Sequence, residues 1–366
     1  MINNKIYIIA EIGVNHNGSL SLAKELIREC KKSGADAVKF QTYSSDSVCA
    51  SDTDKAPYQD KTQGNQSQLN MLRKYELKHS DFIKLKKYSE SKEIDFITTI
   101  TDKEDIHFIT KELNLKLIKV GSSDLTNIQL LLHLGRTNKS ILLSTGMSDF
   151  HDINIALSAL AYGNKNKNFN FKKSIHANYF KKNLNYINNK VILFHCTTEY
   201  PAPMNELNLN VLDTLNKNYN MRLGYSDHSA DFVTPVIASS KNIKFIEVHV
   251  TKSNKLSGPD HESSLNINDF EKYVQLIRKS EIALGSLKKL FSSINSDNLE
   301  GVLKLIDLEY FAKFLALLTL VNDNHMITGD NLKYIYDHTL GNFKVLFRHE
   351  SSINYTIGTD VKDFNK

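Results

Sequence analysis

The sequence predicts an α/β protein, a (β/α)8 TIM barrel carrying a small atypical C-terminal extension. Three observations carry this. Over roughly the first 285 residues, short β-branched runs alternate with amphipathic helical stretches, the signature of a parallel sheet. The runs number eight, the count that closes such a sheet on itself. Nearly every run also ends on a polar residue, as strands do when their C-terminal ends build one active-site face.

Taken in order, the strands are expected at Ile6–Ala10, Ala37–Gln41, Phe96–Thr99, Leu117–Val120, Ile141–Ser144, Val191–His195, Arg222–Ser226 and Phe245–His249. Helix-period segments between them include Leu20–Lys32, Phe82–Ser91, Lys103–Leu113, Ile153–Tyr162 and Phe232–Ser240. A helix at about Asn268–Leu284 follows the last strand, with Gly285 as its stop. Tyr162–Lys190 is rich in Asn and Lys and reads as a solvated insertion, about 163–190, remote from the chemistry. The expected division is therefore a barrel over 1–290 and an α+β tail over 291–366.

Composition narrows the function. The 366 residues are 41% hydrophobic and 24% charged, with a formal net charge of +5 spread along the chain. A weak, scattered positive balance suits an anionic small substrate and argues against nucleic acid. Cys30, Cys49 and Cys196 show no CxxC spacing, which points to a reduced interior. The N-terminal apolar run is too short for a signal peptide, and no stretch approaches a membrane span. The apolar segment Phe311–Val321 reads as a buried helix. A cytoplasmic protein with no membrane partner is expected.

The polar strand ends are Glu11 and Asn15, Lys39 and Gln41, Thr99, Lys119 and Ser122, Ser144, His195, Asp227 and His228, and His249. Loops begin with polar residues in any protein, but that accounts for two or three of these positions, not for Lys, His, Glu or Ser at nearly every strand. His228 and His249 end adjacent strands, close enough to share one divalent cation, with Asp227 and Glu247 alongside. A lone histidine would more often be a hydrogen-bonded structural residue. Lys39 and Lys119 end apolar strands, where an unpaired ammonium is costly to bury. They are either ion-paired inside the barrel or form, with the hydroxyls of Thr99, Ser122 and Ser144, a socket for a ligand with a carboxylate and a phosphate. Glu11 is the remaining acid–base candidate, and a Glu11–Lys39 ion pair is compatible with that role.

Seven motifs, AEIGVNHNGSLSLAKELI, GADAVKFQT, KVGSSDLTN, ILLSTGM, HCTTEYPAP, GYSDHS and GPDHESSL, together resemble those of the sialic acid synthases, in the same order. KAPYQ, SQLNML and YEL resemble the bacterial branch that holds N-acetylneuraminate and N,N'-diacetyllegionaminate synthases. The resemblance implies condensation of phosphoenolpyruvate with an N-acylated mannosamine-type aldehyde sugar, releasing phosphate. By motif, His228 and His249 match the ligands of a divalent metal, manganese first, with magnesium or cobalt as alternatives. Lys39, Thr99, Lys119, Ser122, Ser144 and Ser226 match positions that bind phosphoenolpyruvate. Gln41, Tyr200 and Asp260 match positions that hold the open-chain sugar, and Glu11 matches the carboxylate that manages the attacking water. In that scheme C3 of phosphoenolpyruvate attacks the aldehyde, water adds at C2, and the tetrahedral intermediate loses phosphate. Thr198 and Thr99-Ile100-Thr101 depart from the family pattern without removing a metal or phosphate contact.

The tail departs further. Family members end in an antifreeze-like domain that reaches over a dimer partner and donates an Arg, and its signals are absent after Gly285. The run DNHMITGDNLKYIYD instead faintly resembles a fragment of a CotH-type spore-coat kinase, too short to carry a nucleotide site. A Tyr-rich hairpin with Gly341 in its turn is expected there, and Arg348 is the tail's one Arg. The resemblance also implies a homodimer. One alternative to an N-acetylneuraminate-type enzyme is an N,N'-diacetyllegionaminate synthase using a 2,4-diacetamido-trideoxy sugar, and another is a heptulosonate- or octulosonate-type condensation, against which HCTTEYPAP and GPDHESSL argue. A catalytically impaired ligand-binding or regulatory barrel is the alternative of another class.

Overall fold

A computed structural model describes residues 5–50, 53, 67–166, 176–294, 332–337 and 342–347. It divides into two compact units, Met1–Glu281 and Ile282–Lys366. In the first, eight parallel strands run in sequence order: β1 (Tyr7–Gly13), β2 (Ala37–Thr42), β3 (Asp95–Ile100), β4 (Leu117–Val120), β5 (Ser140–Ser144), β6 (Val191–Cys196), β7 (Arg222–Asp227) and β8 (Phe245–Thr251). β1 pairs with β2 on one side and β8 on the other, with Glu11 opposite both Lys39 and His249, so the sheet closes. A two-residue strand, β9 (Leu265–Asn266), extends the pairing beside Val250 and Thr251.

Strand periodicity sorts the side chains. Ile9, Ala37, Ile97, Leu142, Ile192 and Phe194 form one apolar cluster, the barrel's filling. The alternate residues, such as Ile8, Val38, Ile118, Leu143 and Leu193, join the larger core under the helices. Further along the inward-facing rows the side chains turn polar, which makes the barrel's mouth the site.

The helices follow from sequence. In Leu20–Lys32, Ala23, Leu26, Ile27 and Cys30 recur on one face and are buried, and Ser19 caps the start by accepting from the Leu22 amide at 3.3 Å. The expected helix at Lys103–Leu113 is instead a 3-10 turn, Lys103–Asp105, followed by a π turn, Phe108–Glu112. The Thr110 hydroxyl donates to the Ile106 carbonyl, and the Leu113 amide reaches back to Phe108, so side-chain competition widens the turn. The final helix does not stop at Gly285 but runs over Ile267–Ile294. A glycine inside a helix costs only about 1 kcal/mol relative to Ala, too little to end one without a capping arrangement.

The Asn- and Lys-rich insertion carries more structure than its composition suggests. Tyr179–Tyr186 forms a 3-10 segment beside the helix Phe150–Lys165, where Ser158 donates to the Ala177 carbonyl and accepts from the Phe180 amide. Phe180 and Ile187 are buried. Residues 167–175 lie outside the described residues. Among the described residues no helix is long and apolar enough to cross a membrane.

In the second unit, β10 (Leu332–Asp337) pairs antiparallel with β11 (Asn342–Phe347), as expected of the Tyr-rich hairpin. Gly341, Arg348 and Phe311–Val321 lie outside the described residues.

Candidate active site

A cavity of about 620 Å³ opens at the C-terminal ends of the strands, and all twelve candidate residues named from sequence line it. The strand period explains most of this. Glu11, Lys39, Gln41, Thr99, Lys119, Ser144 and His249 sit two or four residues beyond residues of the barrel's apolar filling, so each faces the barrel interior, and Ser226 lines the same cavity. Ser122 begins the turn after β4, and Tyr200 and Asp260 come from the loops after β6 and β8.

At the centre the two lysines are ion-paired. Lys39 Nζ lies 2.9 Å from Glu11 Oε2 and 3.7 Å from Glu247 Oε1. It also donates to Thr99 Oγ1 at 3.0 Å. Lys119 Nζ meets both Glu247 oxygens, at 3.1 and 3.2 Å. Ser226 Oγ donates to Glu247 Oε1 at 2.8 Å, and Gln41 Nε2 donates to Glu11 Oε1 at 3.0 Å. Every charged side chain in this quartet is 5% exposed or less.

Glu247 is thus the hub, and the sequence reading set it only beside the metal histidines. The signal was available: Glu247 lies two residues before His249 on one strand, and therefore on the same face. The same rule removes Asp227, which alternates with Ser226 and faces the helices, accepting from Tyr273 Oη at 2.8 Å and the Ser229 amide at 2.9 Å. His195 likewise faces away and bonds the Leu207 carbonyl at 2.7 Å. Asn15 is a loop brace, donating to the Val250 carbonyl and Ser264 Oγ.

The two carboxylates differ in proton affinity. Burial, reinforced by the charge of Glu247 and opposed by Lys39, raises Glu11 above the usual carboxylate range. Burial also acts on Glu247, but the charges of Lys119 and Lys39 outweigh it and hold that carboxyl down at about 2. Burial lowers Lys119, whereas Lys39 rises because Glu11 and Glu247 overcome the same burial. Asp260 is pushed up to about 7 by burial and by the charge of Glu11.

Both imidazoles are neutral. Burial brings His228 down to about 4, and burial with the neighbouring His228 puts His249 well below its ordinary value. His228 Nδ1 faces the Thr197 carbonyl at 2.5 Å, so it carries the proton and leaves the Nε2 lone pair in the cavity, 3.3 Å from Tyr200 Oη and Ser226 Oγ. His249 Nδ1 is buried without a hydrogen bond, with Asp260 Oδ2 3.9 Å away. The rings stand 5.6 Å apart, edge to face. Two neutral imidazoles and an unpaired buried ring nitrogen suit a divalent cation with open positions, although among the described residues no three His, Cys, Asp or Glu converge as a cage.

The model of the NeuB family matches residues 26–289. The chain belongs to the NeuB family. It is 35% identical over 286 residues to the N,N'-diacetyllegionaminic acid synthase of Legionella pneumophila, covering 77% of this chain and 74% of that one. The Campylobacter jejuni N,N'-diacetyllegionaminic acid synthase is 37% identical over 82% of this chain and 84% of its own. Human N-acetylneuraminate-9-phosphate synthase is 28% identical over 77% and 72%. Among solved structures, the Leptospira borgpetersenii N-acetylneuraminic acid synthetase aligns with a TM-score of 0.62 and 29% identity over 77% of this chain and 86% of that one. A truncated heptulosonate 7-phosphate synthase from Thermotoga maritima, at 17% identity and a TM-score of 0.54, shares the fold. This NeuB chain is accordingly a synthase of the type that condenses phosphoenolpyruvate with an amino sugar.

Proposed function

We propose that this NeuB enzyme joins phosphoenolpyruvate to an N-acylated mannosamine-type aldehyde in the cytoplasm, releasing phosphate and forming a nonulosonic acid, with manganese as its metal. The observation that carries the reading is the quartet of Glu11, Lys39, Lys119 and Glu247, buried at the mouth of the barrel beside two neutral imidazoles. Its lysines hold the carboxylate and phosphate of phosphoenolpyruvate, with Thr99, Ser122, Ser144 and Ser226 donating hydroxyls. Binding a dense anion in a site already held neutral by two ion pairs requires the lysines to be shared, and the placement of Glu247 between them permits that.

Of the two carboxylates, Glu11 is the one suited to exchanging a proton, because its affinity is raised while Glu247 stays ionised. Glu11 takes the proton of the water that adds at C2, next to Lys39 at 2.9 Å, which offsets the charge. Gln41, Tyr200 and Asp260 hold the sugar above the lysines, and Tyr200 packs on the His228 ring at 4.2 Å. His228 and His249 would hold the divalent cation, whose chemistry is Lewis-acid polarisation of the sugar aldehyde.

A second sugar, a 2,4-diacetamido-trideoxy aldehyde, is favoured by a specific feature. Val14, Tyr43, Met71 and Tyr75 form an apolar cluster that reaches the cavity, and it suits acyl methyls and a deoxy carbon better than hydroxyls. Phosphate release with phosphoenolpyruvate, manganese and a panel of amino sugars tests both readings. Turnover with one of the two N-acylated sugars is expected. No phosphate from any of them, with phosphoenolpyruvate bound, would leave a binding barrel and overturn the proposal. A homodimer belongs to the same reading and is tested by sedimentation.

A further inference from the structure

The loop between β8 and β9 carries Asp260 but has no regular structure of its own, and one fully buried side chain organises it. His261 faces away from the cavity. Its Nδ1 lies 2.7 Å from Thr251 Oγ1, and its Nε2 lies 3.0 Å from Asn17 Oδ1. The amide nitrogen of Asn17 donates to the Ser257 carbonyl at 3.0 Å, which turns Oδ1 toward His261 and fixes the Nε2–H tautomer. Gly258 packs against the ring, where a Cβ would come within 2.5 Å of His261 Cδ2. The loop is thus folded around the imidazole from both ends.

The backbone of Asp260 is fixed by the same assembly. Ser264 Oγ donates to the Asp260 carbonyl at 2.5 Å and accepts from Asn15 Nδ2 at 2.9 Å. Asn254 Nδ2 donates to the carbonyls of His261 and Ser264. Neither ring nitrogen of His261 is left over for substrate, so the residue has no direct contact to make. Its bonds instead tie the turn after β1, through Asn17, to the end of β8, through Thr251.

We propose that His261 is a positioning residue for the sugar: by clamping the loop between Asn17 and Thr251 it sets where the Asp260 carboxyl stands against the substrate. This rests on the reading of Asp260 as a sugar contact. The test compares full-length wild type, His261→Gln, Asn17→Gly, Asp260→Asn and the Asp260→Asn/His261→Gln double variant, measuring KM for each substrate and amide exchange over 253–264. Asn17 has φ +50, so glycine is tolerated there and only the side-chain clamp is lost. Should His261→Gln not fold, Asn17→Gly decides.

Expected are a rise of about 10- to 100-fold in sugar KM, a phosphoenolpyruvate KM within about twofold, and faster exchange in the loop. The double variant should be no worse than Asp260→Asn, since a residue acting through Asp260 then has nothing to act on. Additive losses, or equal losses for both substrates, overturn the positioning role alone. An unchanged sugar KM in Asp260→Asn overturns the assignment of Asp260 and this proposal with it.

Discussion

Lys119 Nζ lies 4.0 Å from the centroid of the Phe194 ring. The ammonium therefore has an aromatic floor below and the Glu247 carboxylate beside it at 3.1 Å. The barrel's apolar filling and its charged site meet at this contact.

Lys119→Met keeps bulk over Phe194 and deletes the charge. A charge-assisted bond is worth about 1.5–3 kcal/mol, so the phosphoenolpyruvate KM should rise about 10- to 100-fold. The sugar KM should change far less. Steady-state kinetics with each substrate varied decides it, and equal loss for both would remove Lys119 from the phosphate socket.

Gly224 stands where any Cβ would fall 2.5 Å from Phe194 Cε2 and Cζ. Gly224→Ala must push the ring, and with it Lys119. A loss of about 1–3 kcal/mol of stability is expected, with a raised phosphoenolpyruvate KM. An unchanged thermal melt would show that the ring has room.

Glu11→Gln keeps the contact to Gln41 and removes the exchangeable proton. kcat should fall about 10²- to 10⁴-fold with little change in either KM. If Glu247→Gln lowers kcat with the same pattern while Glu11→Gln does not, the two carboxylates have exchanged roles.

His228→Ala removes one imidazole of the pair. Manganese affinity, followed by titration of metal-free protein, should fall by more than the roughly 10- to 100-fold typical of losing an outer hydrogen-bond partner. Turnover should be lost with it. Full activity after exhaustive chelation of the wild type would remove the metal from the scheme.

Acid should destabilise the metal-free protein. Burial lowers His16, His228 and His261 to about 4, and His249 well below its usual value. Between roughly pH 6.5 and 4 the unfolded chain therefore binds protons at these sites that the folded chain refuses, and stability falls as pH falls. Buried carboxylates act oppositely: Glu11 is raised, Asp227 to about 6 and Asp260 to about 7, chiefly by burial, so the folded state takes up their protons first. The histidines, His195 lowered by burial among them, outweigh these carboxylates. Urea unfolding should give a lower free energy at pH 5 than at pH 7, and an equal or higher value would contradict the neutral burial of these rings.

Much of this was legible in the chain. Eight apolar runs alternating with helices pointed to a parallel sheet of the size that closes into a barrel, and a period of two determined that Lys39, Lys119, Ser226 and His249 would share its interior. The same period could have selected Glu247 over Asp227, because it needs only the distance from His249. What sequence could not supply is how far a side chain reaches across the axis. Lys119 and Glu247 are separated by 128 positions, and their contact exists only because the closed barrel brings opposite strand ends within a side chain's length. Proton affinities depend on that proximity and on burial, so the division of Glu11 from Glu247 came from the tertiary structure. The helix past Gly285 and the π turn at Phe108–Glu112 are further cases, each settled by hydrogen bonds that compete too closely for local pattern to rank.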